Sequence, residues 1–159
     1  MDDIFGMHNV LGVTANPTAG WVAQQARNLM MDLEERAGSF KFMIRDRDGK
    51  FTAPFDEVFR AEGIQIVRTA VQAPRMNAIM ERWVGSVRRE ILDRTLIVNA
   101  RHLRKVLAEY EDHFNTYRPH RALNQASPLR PLPDSADADI KVIRRDRLGG
   151  LLHEYSQVA

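Results

Sequence analysis

The feature that most constrains this chain is the run from Phe40 to Thr69, "FKFMIRDRDGKFTAPFDEVFRAEGIQIVRT". Phe40 to Ile44 interleaves lysine with apolar residues and reads as a strand, and "DRDGK" is its exit turn. Pro54 stands at a favourable first helical position, "PFDEVFRAEG" follows as a short helix, and Gly63 stops it. "IQIVRT" is a further strand. With a strand and a helix also read before it, the order strand, helix, strand, helix, strand implies an α/β sheet with at least one parallel pair.

The flanking sequence extends the pattern. "NVLGVT", Asn9 to Thr14, is β-branched and ends at the "ANP" breaker, which predicts a preceding strand. Val22, Ala26, Leu29, Met30 and Leu33 recur at helical spacing between Thr18 and Arg36. Asn77 to Leu92 is a periodic helix with an apolar stripe of Met80, Val84, Val87 and Ile91, and Trp83 and Met80 read as core. Another helix is expected from Ala100 to Tyr117, burying Leu103, Leu107, Tyr110 and Phe114. In "SPLRPLPDSADAD" the prolines and small acidic residues break all periodicity. The expected organisation is a core at 1–126, a linker at 127–139 and a tail at 140–159 with a short strand and turn.

With 159 residues the chain is one ordinary domain, and its lack of cysteine excludes disulfides and thiolate metal sites. It shows no signal peptide or bilayer span, so a cytoplasmic protein with no membrane partner is expected. The net charge of +2 says little by itself. Its distribution says more: acids gather before residue 40, whereas Arg75, Arg82, Arg88, Arg89, Arg94, Arg101, Arg104, Lys105, Arg118 and Arg121 crowd the middle. Such a stretch suits a polyanion, although a solvated helical surface has the same composition.

Asp46 sits where a strand meets a turn, a position from which rigid sheets present functional groups. Aspartates also simply form turns, as Asp48-Gly49 does. Glu81 lies on the charged side of its helix; at about 3.6 residues per turn, Gly85 and Arg88 share its face. A carboxylate, a gap and a cation in a row allow a phosphate backbone to approach. Two carboxylates from different elements suit magnesium, which prefers carboxylates plus substrate phosphate oxygens, and phosphoryl transfer uses such ions. A paired-carboxylate glycosidase is the chemical rival, but it leaves the basic helix unexplained. In "FNTYRPHRALNQASP" Arg118, His120 and Arg121 surround Tyr117, which suits phosphate contact and base stacking, or equally a helix end whose cations complement the dipole. The histidines, lacking ligand spacing, read as surface or interface residues.

Taken together, "IRDRDGKF", "VQAPRMNAIMERWVGSVRRE" and "YEDHFNTYRPHRALNQASPL" resemble the Asp-Asp-Glu integrase catalytic core of bacterial insertion-sequence transposases, relatives of retroviral integrases. The likeness runs from about Val10 to Pro133. It implies a ribonuclease H-like mixed sheet with flanking helices. It also implies catalytic and metal-binding roles for Asp46 and Glu81, with magnesium or manganese as cofactor. DNA contacts follow at Asn77, Arg82, Arg88, Arg89, Arg118, His120 and Arg121. The family's second aspartate usually stands in an Asp-Asn-Gly context. Here Arg47 and Asp48 follow Asp46 and the glycine comes one place late, so Asp48 remains a second candidate ligand.

The front of the chain departs from the family. An opening strand with the first catalytic aspartate and its partner strand need roughly 14 residues, and only "MDDIFGMHN" precedes Val10. Asp2 and Asp3 are too close to the next strand to serve. The expectation is a core without its first two strands. It would be a DNA transposase or integrase that binds DNA but neither cleaves nor joins it alone, works as a homo-oligomer or with a full-length transposase, and sits with the nucleoid when bound. The alternative is a non-catalytic DNA-binding or interaction module that regulates an intact transposase.

Overall fold

The computed structural model describes residues 8–70, 78–130 and 141–158. The chain divides into two compact units, one comprising Leu11–Ser86 and the other Met1–Val10 with Val87–Ala159.

The first unit is built on the β-α-β run. Helix α1 (Ala19–Leu33) begins where the Thr18 hydroxyl accepts the Trp21 N–H. A tight 3-10 segment, Glu34–Ser39, leads to β1 (Phe42–Arg45). Helix α2 (Ala53–Ala61) carries Pro54 in its first turn, and Gly63 takes a left-handed φ of 75° to turn the chain into β2 (Gln65–Arg68). The strands are parallel, with Phe42 opposite Gln65 and Arg45 opposite Arg68. Ala23 and Ala26 of α1 pack with Phe55, Phe59 and Ile64, and Met43 and Ile66 close this core from the strands. Phe51, Phe55 and Phe59 form a ring series with centroids 4.8 and 5.0 Å apart.

Three expectations need correction. "NVLGVT" is not a strand: the Val10 N–H donates to a Glu111 carboxylate oxygen at 2.8 Å instead of to a ladder, and Gly12 passes so close to Trp21 and Gln25 that a Cβ there would lie 2.8 Å from both side chains. β-Branched residues favour extended backbone, but a strand needs a partner. Met80 and Val84 are not core; both are exposed, as is Ile79. Only the lower part of the stripe on α3 (Ala78–Glu90), Val87 and the following Ile91, is buried, with Trp83 intermediate. His113 is buried rather than at the surface.

In the second unit α4 (Ala100–Thr116) starts at Asn99, whose side chain accepts the His102 N–H. It buries Val106, Tyr110, His113, Phe114 and Asn115, while Leu103 and Leu107 are half-buried. The stripe is thus rotated slightly from the expected one. Residues 127–130 make an isolated bridge, and the Leu129 N–H donates to the Asn115 carbonyl. The expected terminal strand and turn are a full antiparallel hairpin, β3 (Lys141–Arg147) and β4 (Leu152–Val158), with Gly149 and Gly150 at positive φ in its connection. Among the described residues four longer helices and two two-stranded sheets make this a mixed α/β protein. Among the described residues the sheets do not merge into one.

Candidate nucleic-acid and metal site

Asp46 leaves the end of β1 half-buried. Its Oδ1 accepts the Asp48 N–H at 2.9 Å, an Asx turn that fixes the carboxylate relative to the strand. Asp48 repeats the motif, accepting the Lys50 N–H through Oδ1 and the Lys50 ammonium through Oδ2 at 2.6 Å. That ammonium holds the Asp48 carboxyl below its ordinary value. Asp48 therefore already has a cation, whereas Asp46 keeps Oδ2 without a partner among the described residues. Of the two carboxylates, that of Asp46 is the less committed among the described residues.

Behind Asp46 lies a feature that the sequence reading missed. Asp56 of α2 is fully buried and takes the Arg45 guanidinium bidentately, Nε to Oδ1 at 2.7 Å and Nη2 to Oδ2 at 2.8 Å. The third guanidinium nitrogen donates to the Asp46 carbonyl at 2.9 Å. Hydrogen bonding from Arg45 holds the Asp56 carboxyl below its usual range despite burial, and the same bond raises the Arg45 pKa. One buried ion pair therefore clamps the backbone that carries the candidate acid. The available signal was an acid in the first turn of a Pro-initiated helix after a strand ending in arginine.

Glu81 is exposed in the first turn of α3, where a carboxylate complements the positive end of the helix. Arg82, Arg88 and Arg89 are exposed on the same helix, Arg88 with a loose contact to Asp93 at 3.9 Å. Asn77 lies outside the described residues, as do Asp2 and Asp3. Asp46 and Glu81 belong to the same unit. No group of three acidic or histidine side chains placed to hold a metal occurs among the described residues.

The Tyr117–Arg121 segment is more occupied. Arg118 pairs with Glu90 at 2.9 Å and covers the Phe114 ring. His120 Nε2 lies 3.0 Å from the Phe114 carbonyl with its ring edge-on to Phe114. Arg130 and Arg147 both lie over the Tyr117 ring. Arg121 is exposed. This corner is a packed terminus of α4 from which Arg121 projects.

Comparison with known proteins gives a class first. Residues 62–128 match a family model described as an integrase core domain, a range that includes Glu81 and the basic segments and begins after Asp46. The more particular likeness is to the "Insertion element IS407 uncharacterized 31.7 kDa protein" of Burkholderia multivorans (strain ATCC 17616 / 249). It is 30% identical over 99 residues, covering 59% of this chain and 36% of that protein. The match thus spans little more than a third of the relative's length. Over the matched segment the chain is thus similar to an integrase core domain and to a protein of an insertion element. No solved structure matches the chain. No helix among the described residues is long and apolar enough to cross a membrane.

Proposed function

We propose that this chain supplies part of a transposase or integrase core that cuts and joins DNA by metal-dependent phosphoryl transfer. The observation that carries the reading is the clamped Asp46 at the carboxyl end of a parallel strand, with one carboxylate oxygen unpartnered among the described residues, in a chain whose later segment matches an integrase core. The donor set fits a hard divalent ion: Asp46 and Glu81 offer carboxylate oxygens and no soft ligand, so they would hold magnesium or manganese rather than a softer metal. Held by Asp46 and Glu81, such an ion would supply activation of the attacking oxygen and charge stabilisation at the leaving one. The protein's own work is positional. Arg45 and Asp56 fix the Asp46 turn, and Arg82, Arg88, Arg89 and Arg121, with Asn77, contact the DNA backbone; Arg118 and His120 hold the corner from which Arg121 projects.

Asp46 and Glu81 are two carboxylates of an Asp-Asp-Glu set, and no third acid is grouped with them among the described residues. On its own this chain then binds duplex DNA without nicking it. The test is a magnesium-dependent nicking assay on the purified chain. No product is expected, and nicking that Asp46→Asn abolishes would overturn the incomplete-site reading.

A second reading is a non-catalytic module that associates with an intact transposase. Exposed apolar side chains favour it: Phe42 and Ile44 on the outer face of β1, and Ile79, Met80 and Val84 on α3. These residues suit burial against another chain. Co-purification of mixed complexes with an intact transposase supports this reading, and a strictly monomeric chain in its presence removes it.

A further inference from the structure

Arg45 and Arg68 are directly paired across β1 and β2, at the last position of each strand. Like charges in register repel, so a strand pair selected for stability alone avoids this arrangement. Asp56 offsets part of the repulsion: besides Arg45 it meets Arg68 at 3.4 Å and Arg60 at 3.5 Å. One carboxylate thus faces three guanidiniums, and its oxygens are already committed to Arg45. In front of this cluster an open cleft of about 260 Å³ is lined by Arg45, Arg47, Asp48, Gly49, Phe51 and Arg68. The acid on its wall, Asp48, is neutralised by Lys50. Arg47 uses only Nε, donating to the Thr69 carbonyl at 2.9 Å, and leaves its terminal nitrogens without an acceptor among the described residues. The Arg68 side chain is 57% exposed. The cleft therefore holds an excess of open guanidinium donors, at the carboxyl ends of parallel strands, where α/β proteins bind ligands.

We propose that this cleft binds a phosphate of the DNA backbone, with Arg47 and Arg68 donating to its oxygens and Arg45, held by Asp56, as a fixed positive floor. Planar guanidinium forks match phosphate oxygens in charge and geometry. The cleft is bounded by the loop that carries Asp46, so a phosphate seated there anchors the strand beside the acid. The assignment rests on the reading that this chain acts on DNA. It adds a contact from the β1–β2 end, separate from the basic helix.

The experiment is duplex DNA binding by fluorescence anisotropy in metal-free buffer across a salt series, comparing the wild-type chain with the Arg47→Gln/Arg68→Gln double variant. Arg27→Gln, exposed on α1, serves as a remote charge control. Two lost phosphate contacts should flatten the salt slope by about 2 and weaken binding by roughly tenfold or more, against little change in the control. An unchanged slope in a double variant with wild-type circular dichroism overturns the proposal. So does a wild-type chain that does not bind the duplex. Arginine Nε–H resonances of Arg47 and Arg68 distinguish the phosphate source. Movement with the duplex at concentrations where inorganic phosphate has no effect supports DNA, and movement with phosphate alone overturns it. Because no metal is present, failure of the cleavage reading leaves these results standing.

Discussion

Each unit buries a carboxylate beside an arginine, and the two are satisfied very differently. Asp56 receives two well-aligned bonds from Arg45 at 2.7 and 2.8 Å, and the guanidinium spends its third nitrogen on the Asp46 carbonyl. Glu154, on β4, is equally buried. Arg147 Nε approaches it to 2.8 Å and His113 Nδ1 to 3.5 Å, but neither contact is aligned as a hydrogen bond, and among the described residues both Glu154 oxygens are left without one. Arg147 divides its charge between Glu154 and Asp112, the latter at 2.7 Å. A saturated ion pair fixes a backbone; a partly satisfied one is the place where a change of protonation or sequence is felt.

The largest effect expected from this contrast is at Asp56. Asp56→Ala leaves Arg45 buried and unpaired, with Arg60 and Arg68 beside it, and should cost about 3–5 kcal/mol in urea denaturation. Glu154→Gln removes a charge that lacks aligned donors, while Arg147 keeps Asp112, so a cost of about 1–2 kcal/mol is expected. Equal costs would erase the distinction.

Acid separates the two regions next. Burial, only partly opposed by Glu154, pushes the His113 pKa below its ordinary 6.5. Glu90 and Arg118 act on it with opposite signs. The unfolded chain then takes up the proton first, so the stability that neutral His113 contributes is full above 6.5 and is lost as pH falls through the lowered value. The Asp56 carboxyl is depressed by the Arg45 hydrogen bonds, so its contribution is full above 3.8 and lost as pH falls through its own lowered value. Amide hydrogen exchange across a pH series should show protection around α4 and β4 weakening before protection around β1 and α2. The reverse order would refute the account of both clusters.

A smaller difference separates neighbouring arginines. Arg118→Ala gives up the Glu90 pair, with both partners about a third exposed, and the cover over Phe114. Discounted for screening, this should cost about 0.5–1 kcal/mol in thermal or urea unfolding. Arg121 is exposed with no side-chain partner among the described residues, so Arg121→Ala should stay within about 0.5 kcal/mol of wild type.

The β-α-β run was legible because local signals agree there: Pro54 starts the helix, Gly63 stops it, and the apolar spacing changes period between them. The helix periodicity of α4 was legible for the same reason, to within a small rotation of its face. "NVLGVT" misled because β propensity describes a residue's fit to a sheet and says nothing of whether a partner strand is present. Met80 and Val84 misled similarly, since periodicity identifies an apolar face without supplying what covers it. The position of Asp46 at a strand exit was readable. Its clamp was not, because Arg45 and Asp56 are brought together by the packing of β1 against α2, and no short motif records that contact.

An equally small stability effect belongs to the residue with the largest proposed functional one. Asp46 contributes to the fold through its Oδ1, which accepts the Asp48 N–H, and through its carbonyl, which Arg45 holds. Asn at this position keeps both acceptors and the same shape, so Asp46→Asn should shift stability by less than about 0.5 kcal/mol. What it loses is the negative charge and one anionic oxygen, the features a divalent cation uses. A near-neutral melt combined with abolished cleavage, in an assembly that contains this chain and does cleave DNA, would separate the ligand role from the turn role. A large drop in stability would instead show that the carboxylate charge serves the fold beside Arg45, and Asp46 would then be a structural partner of the arginine cluster.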